Sequence, residues 1–129
     1  MQSPTILVTG ANGQVGQELQ VLANQYHNFR FLFTDRALLD ITNQAAVQHY
    51  FANHPIHYCI NCAAYTAVDK AESEPDLAHN INVKGVMHLA EACKSTGAQL
   101  IHISSDYVYH NLNCTPLNES DPTFPQSVY

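Results

Sequence analysis

The chain has 129 residues, 46% of them apolar and 12% charged, with eleven acids against five bases and a net charge of −6. That length is one domain able to hold a core, and the composition excludes an intrinsically disordered chain. The acidic balance argues against a nucleic-acid binder, which needs a basic face. No apolar run approaches the roughly 18 residues of a membrane span, and Met1-Gln2-Ser3-Pro4 lacks the start of a secretory signal, so a cytoplasmic protein is expected.

Thr5-Ile6-Leu7-Val8-Thr9 is a β-branched apolar run ending at Gly10 and reads as a buried strand. A helix follows over 14–25, with Val15, Leu19, Leu22 and Ala23 on one face. Arg30–Thr34 reads as a second strand, with a short extended piece near Leu38-Leu39. Residues 43–54 carry Ala46, Val47, Tyr50 and Phe51 at helical spacing, and Pro55 stops that helix. His57–Cys62 is a third clear strand. Ser73 is the expected N-cap of a long helix carrying Leu77, Ile81, Val86, Leu89, Ala90 and Cys93 to about Ser95, with Gly97 placed to end it. Gln99–Ser104 is a fourth strand, and Tyr107–Tyr129 reads as a long loop.

Short apolar strands alternating with helices imply a parallel sheet covered on both faces. Right-handed crossovers make it a doubly wound, Rossmann-type α/β fold. Of the four cysteines, Cys59 and Cys62 have C-x-x-C spacing, but in a strand positions i and i+3 face opposite ways. Cys59, Cys62, Cys93 and Cys114 therefore read as reduced thiols. The eight histidines contain no H-x-x-x-H pair, so no metal site is expected.

Thr9-Gly10-Ala11-Asn12-Gly13-Gln14-Val15-Gly16 joins the first strand to the first helix with G-x-x-G-x-x-G spacing. Glycines there allow a sharp turn, a close approach of backbone to a pyrophosphate, and tight helix–strand packing. The helix N-terminus offers free N–H groups and partial positive charge. Asp35, about twenty residues on, ends the second strand and can accept from both ribose hydroxyls. Its charge favours NADH over NADPH, and the adjacent Arg36 offsets that by offering a partner to a 2′-phosphate.

The glycine spacing resembles that of extended short-chain dehydrogenase/reductases. Asn61-Cys62-Ala63-Ala64-Tyr65-Thr66-Ala67-Val68-Asp69-Lys70-Ala71-Glu72 resembles the signature of dTDP-4-dehydrorhamnose reductases, as do Ile103-Ser104-Ser105-Asp106-Tyr107-Val108-Tyr109 and Leu39-Asp40-Ile41-Thr42. Pro125-Gln126-Ser127-Val128-Tyr129 resembles the approach to that family's Tyr-x-x-x-Lys motif.

The resemblance implies an NAD(P)H-dependent oxidoreductase acting on a dTDP-4-keto-sugar in dTDP-rhamnose biosynthesis. It puts Gly10, Gly13, Gln14 and Val15 at the pyrophosphate, with Asn12 and Gly16 in the same loop, and Asp35 at the adenosine ribose. Asp40 and Ile41 would border the adenine. Ala63, Ala64 and Tyr65 would run beneath the nicotinamide ribose, and Asn82 would support the site from its helix. Tyr129 would give a proton to the carbonyl oxygen and Ser105, where the family often has threonine, would hold that oxygen. Asp106, Tyr107, Thr66 and Asp69 would contact the sugar.

The motif's lysine would fall at position 133, beyond the sequence, where it would lower the phenol's pKa. The expectation is therefore an N-terminal part of a longer reductase, lacking the last strands and the substrate domain and itself without useful turnover. An uncovered edge on the fourth strand predicts self-association. Two other readings stay open: a sugar-nucleotide epimerase or reductase of the same superfamily, and a non-catalytic NAD(P)-binding regulatory subunit.

Overall fold

The computed structural model describes residues 3–110 and 115–129; Met1, Gln2 and Cys114 lie outside them. The elements run β1 (Thr5–Thr9), α1 (Gln14–Ala23), β2 (Arg30–Thr34), α2 (Gln44–Asn53), β3 (Tyr58–Asn61), α3 (Val68–Ala71), α4 (Pro75–His79), a π-helical turn (Asn80–Gly85), α5 (Val86–Thr96), β4 (Gln99–His102) and a 3₁₀ turn (Asp106–Val108). The four strands form one parallel sheet in the order β2-β1-β3-β4. From β1 the chain moves one way to β2, and β3 and β4 add on the other side. The loops after β1 and β3 therefore meet at a topological switch point, where ligands of open α/β sheets bind.

The core follows from the apolar spacing. Leu7 and Cys59 from β1 and β3 pack with Val47 and Phe51 of α2 and Leu89, Ala92 and Cys93 of α5. Right-handed crossovers place α1 on the opposite face. There the expected stripe is only partly covered: Gly16 is buried, but Val15 is 46% and Leu22 42% exposed.

Three expectations are corrected. The Leu38-Leu39 piece is a turn, because Leu39 N–H donates to the Asp35 carbonyl at 2.9 Å; the sheet consequently has no strand between β2 and α2. Ser73 does not cap the long helix. Its hydroxyl donates to the Lys70 carbonyl at 2.9 Å, closing the short α3 that the sequence reading lacked, and Glu74 takes the N-cap position before Pro75. The long helix itself runs from Pro75 to Thr96 but contains the π-helical turn. Gly97 ends it as expected, in the left-handed region at φ +78°. Cys59 and Cys93 are buried and Cys62 half-buried, all three as free thiols. A hydrogen bond shared with Cys93, and burial, hold the Cys59 thiol protonated well above its usual range.

Candidate functional site

Gly10 leaves β1 at φ +68°, and a Cβ there would stand 2.5 Å from the Ala63 nitrogen. The loops after β1 and β3 touch backbone to backbone, so only glycine fits. Gly13 then caps α1 in an extended conformation with no side-chain acceptor, and the first turn of α1 has no acidic residue. Its N–H groups are thus left for an anion from outside the helix. Two helix side chains, which the sequence reading did not single out, hold the loop from below. Gln20 Nε2 donates to the Ala11 carbonyl at 2.7 Å and Gln17 Nε2 to the Asn12 carbonyl at 3.0 Å.

Asp35 stands across this loop at the end of β2. Asn12 Nδ2 donates to its Oδ2 at 3.0 Å and Leu38 N–H to its Oδ1 at 3.0 Å. The Leu38 amide and then Asn12 hold the carboxyl below its ordinary range. Asp40 Oδ1 accepts from Thr42 Oγ1 at 2.7 Å and Thr42 N–H at 2.9 Å, and Arg36 Nε lies 3.6 Å from Oδ2. The Thr42 bonds and the Arg36 charge lower Asp40 as well. Asp35, Arg36, Asp40 and Ile41 line one cavity of about 390 Å³ with Gly10, Asn12, Gly13, Ala63 and Ala64.

A second cavity of about 790 Å³ continues from the first over the switch point. Gly13, Gln14 and Val15 line one side, Ala63, Ala64 and Thr66 the floor, and Ser105, Asp106 and Tyr129 the far side. Ser105 Oγ accepts from Tyr107 N–H at 3.2 Å and donates to Asp106 Oδ1 at a long 3.5 Å. The Tyr129 ring meets Tyr107 edge-on, centroids 5.5 Å apart. Val128 N–H, one residue earlier, donates to Glu72 Oε1 at 2.8 Å, a tether that sequence spacing could not show.

The β3 exit is fixed from behind. Asn61, 1% exposed, accepts at Oδ1 from Thr9 Oγ1 at 2.6 Å and from Ala63 N–H at 3.1 Å; its Nδ2 faces His102 Nδ1 at 3.1 Å. Asn82 grips Tyr65 at both backbone groups, accepting from its N–H at 2.8 Å and donating to its carbonyl at 3.0 Å. The Tyr65 side chain turns away to Glu74. Gly16 is buried beneath the loop and Tyr107 lines a neighbouring hollow with Asp106 and Glu72. Asp69, exposed on α3, lines neither cavity.

A glycine loop opening an uncapped helix, a carboxylate at the end of β2 and a groove across the switch point define a dinucleotide-binding α/β domain. The model of the RmlD substrate binding domain matches residues 4–129, and the chain belongs to that family. It is 45% identical over 126 residues to a dTDP-4-dehydrorhamnose reductase of Streptomyces griseus, covering 98% of this chain and 41% of that protein. Among solved structures, the dTDP-4-dehydrorhamnose reductase of Clostridium acetobutylicum superposes with a TM-score of 0.91 at 46% identity, over 97% of this chain and 44% of that one. That of Bacillus anthracis, in complex with NADP, gives 0.94 at 39% identity, over 100% and 46%. The chain thus spans less than half the length of each. Among the described residues no helix is long and apolar enough to cross a membrane.

Proposed function

We propose that this chain is the cofactor-binding part of a dTDP-4-dehydrorhamnose reductase, which reduces the 4-keto group of a dTDP-sugar in dTDP-rhamnose biosynthesis. The observation that carries the reading is the shared cavity: Ser105 and Tyr129 line the same hollow as Gly13, Gln14 and Val15. The groove's donors suit an NAD(P)H. The uncapped N–H groups of α1 would take the pyrophosphate, Asp35 the adenosine ribose, and the Asp40–Ile41 wall the adenine, while Ala63, Ala64 and Tyr65 would lie along the nicotinamide ribose. Small residues at 63 and 64 leave the backbone accessible there.

When bound, the reduced nicotinamide supplies the hydride that adds to the carbonyl carbon. Tyr129 then gives its phenolic proton to the carbonyl oxygen as the C=O π pair moves onto it. Ser105 donates a hydrogen bond to the same oxygen and holds the developing charge. Its orientation is set by Tyr107 N–H, which occupies one Oγ lone pair. Asp106 and Thr66, which line the same cavity, would meet the sugar, with Tyr107 in the adjoining hollow.

The test is NADH consumption by the whole protein with a dTDP-4-keto-sugar. Tyr129→Phe should lose about 100-fold or more in rate, the usual scale for a general acid, while calorimetric NADH binding is retained. A protein that binds NADH but reduces no sugar nucleotide would leave the groove and remove the reaction.

A further inference from the structure

The adenine-side wall of the first cavity is held from behind by residues that do not face it. Ile41 sits between Asp40 and Thr42, and all three line the cavity. The Ile41 carbonyl lies 2.9 Å from His88 Nδ1. A carbonyl oxygen can only accept, so Nδ1 carries the proton. His88 is 8% exposed on α5, and neither the pyrophosphate loop nor the Ser105 cavity uses it.

The Ile41 side chain, in turn, rests on Gly85. A Cβ at Gly85 would stand 2.7 Å from both Cδ1 and Cγ1 of Ile41. Gly85 closes the π-helical turn, a distortion frequent at functional sites. The same turn carries Asn82, which clamps Tyr65 on the other side of the groove. Ile41 is thus fixed twice, by its carbonyl to His88 and by its side chain over Gly85.

We infer that His88 and Gly85 are positioning residues for adenine recognition, setting the depth of the Asp40–Thr42 wall through Ile41. The inference rests on the dinucleotide reading above. The plainer role for a buried histidine is to satisfy one carbonyl and fill space. The two roles differ in what they do to the two halves of a dinucleotide.

The experiment is calorimetry of the 129-residue chain with ADP-ribose and, separately, nicotinamide mononucleotide. His88→Leu should weaken ADP-ribose about tenfold, the scale of one buried hydrogen bond, and leave nicotinamide mononucleotide unchanged. His88→Asn, which puts an amide N–H near the position of Nδ1–H, should restore ADP-ribose binding. Gly85→Ala, which pushes Ile41 toward the cavity, should give the same selective loss and serves if His88→Leu does not fold. Unchanged ADP-ribose binding in a folded variant, equal loss for both ligands, or no recovery in His88→Asn would overturn the inference alone. A wild-type chain that bound neither ligand would overturn the dinucleotide reading and this inference with it.

Discussion

Tyr65 donates its phenolic hydrogen to Glu74 Oε2 at 2.6 Å, and Lys70 Nζ stands 3.2 Å from the other oxygen of the same carboxylate. The bond ties the loop after β3 to the start of α4, in addition to the Asn82 clamp on the Tyr65 backbone. Because the acceptor is ionised, deprotonating the phenol would set two negative charges together. That bond, with burial adding to it, pushes Tyr65 up to about 12, and the same bond lowers Glu74.

A folded-state pKa above the unfolded value of about 10 means the native state binds this proton more tightly. Its contribution to stability is present below pH ~10 and is lost as pH rises toward ~12. Of the seven tyrosines, Tyr50, which burial also pushes up, and Tyr65 should ionise late in an ultraviolet titration of the folded chain, Tyr65 last. Tyr65→Phe should remove the last phase, and Glu74→Gln should move it earlier. A last phase unchanged in Tyr65→Phe would assign it to another ring.

Gly10 and Gly13 belong to one motif but should respond oppositely to substitution. A Cβ on Gly10 meets the Ala63 nitrogen at 2.5 Å and the Cys62 carbonyl carbon at 2.6 Å, at positive φ. Gly10→Ala should cost roughly 2–4 kcal/mol, by strain and by parting the loops. Gly13 has φ −77°, and its Cβ would meet only the Gly10 carbonyl oxygen at an ordinary 3.4 Å. Aspartate is a good N-cap, so Gly13→Asp should shift stability by only a few tenths of a kcal/mol, on the favourable side. The same carboxylate would occupy the anion site and should weaken NADH by about tenfold or more. Thermal unfolding and calorimetry of the two variants separate the effects. NADH binding unchanged in Gly13→Asp would remove the pyrophosphate assignment.

What was legible in the sequence was whatever follows from local periodicity and from glycine. The four strands, the three expected helices and the glycine loop lie close to their expected bounds, because apolar spacing sets burial directly. The turn at Leu38-Leu39 was not legible, since it depends on Asp35 accepting from Leu38 and Leu39 N–H groups. The helix starts one residue later than Ser73 marks it, with Glu74 before Pro75 and no side-chain cap bond, while the Ser73 hydroxyl closes α3 on the Lys70 carbonyl. The site's braces escaped for a different reason. Glu72 to Val128, His88 to Ile41 and Asn61 to Thr9 join residues 47 to 56 positions apart. Asn61, a polar residue ending an apolar strand, was the one of these with a visible signal.

The edge of the sheet should govern behaviour in solution. Among the described residues β4 has a paired strand on one side only, and Ile101 and Ile103 are 50% and 46% exposed beside that open edge. Unpaired backbone groups flanked by β-branched apolar side chains favour pairing with a second copy. Sedimentation velocity should show concentration-dependent association of the 129-residue chain. Ile101→Lys, a charge of the kind that protects natural edges, should shift it toward monomer. A wild-type chain that stays monodisperse at high concentration would show that this edge is not sticky.

Cofactor choice should turn on Asp35 rather than Arg36. Both Asp35 oxygens are already held, by Asn12 and by Leu38 N–H, so the carboxylate is fixed in direction with lone pairs left for ribose hydroxyls. A 2′-phosphate brought there would meet a fixed negative charge. Arg36, the neighbouring cation, is drawn to Asp40 but remains three-quarters exposed and free to swing. The Bacillus anthracis relative holds NADP, so in that protein the phosphate is accommodated. Here NADH should bind more tightly than NADPH by several-fold, about 1 kcal/mol for one partly screened charge contact. Since the Asp35 carboxyl is held below its ordinary range it stays ionised from about pH 5 to pH 8, and the preference should grow across that window as the 2′-phosphate loses its second proton near pH ~6. Asp35→Ala should equalise or invert it, and Arg36→Ala should weaken NADPH alone. Competitive calorimetry of the two cofactors measures this directly, and tighter NADPH binding by the wild-type chain would give the deciding role to Arg36.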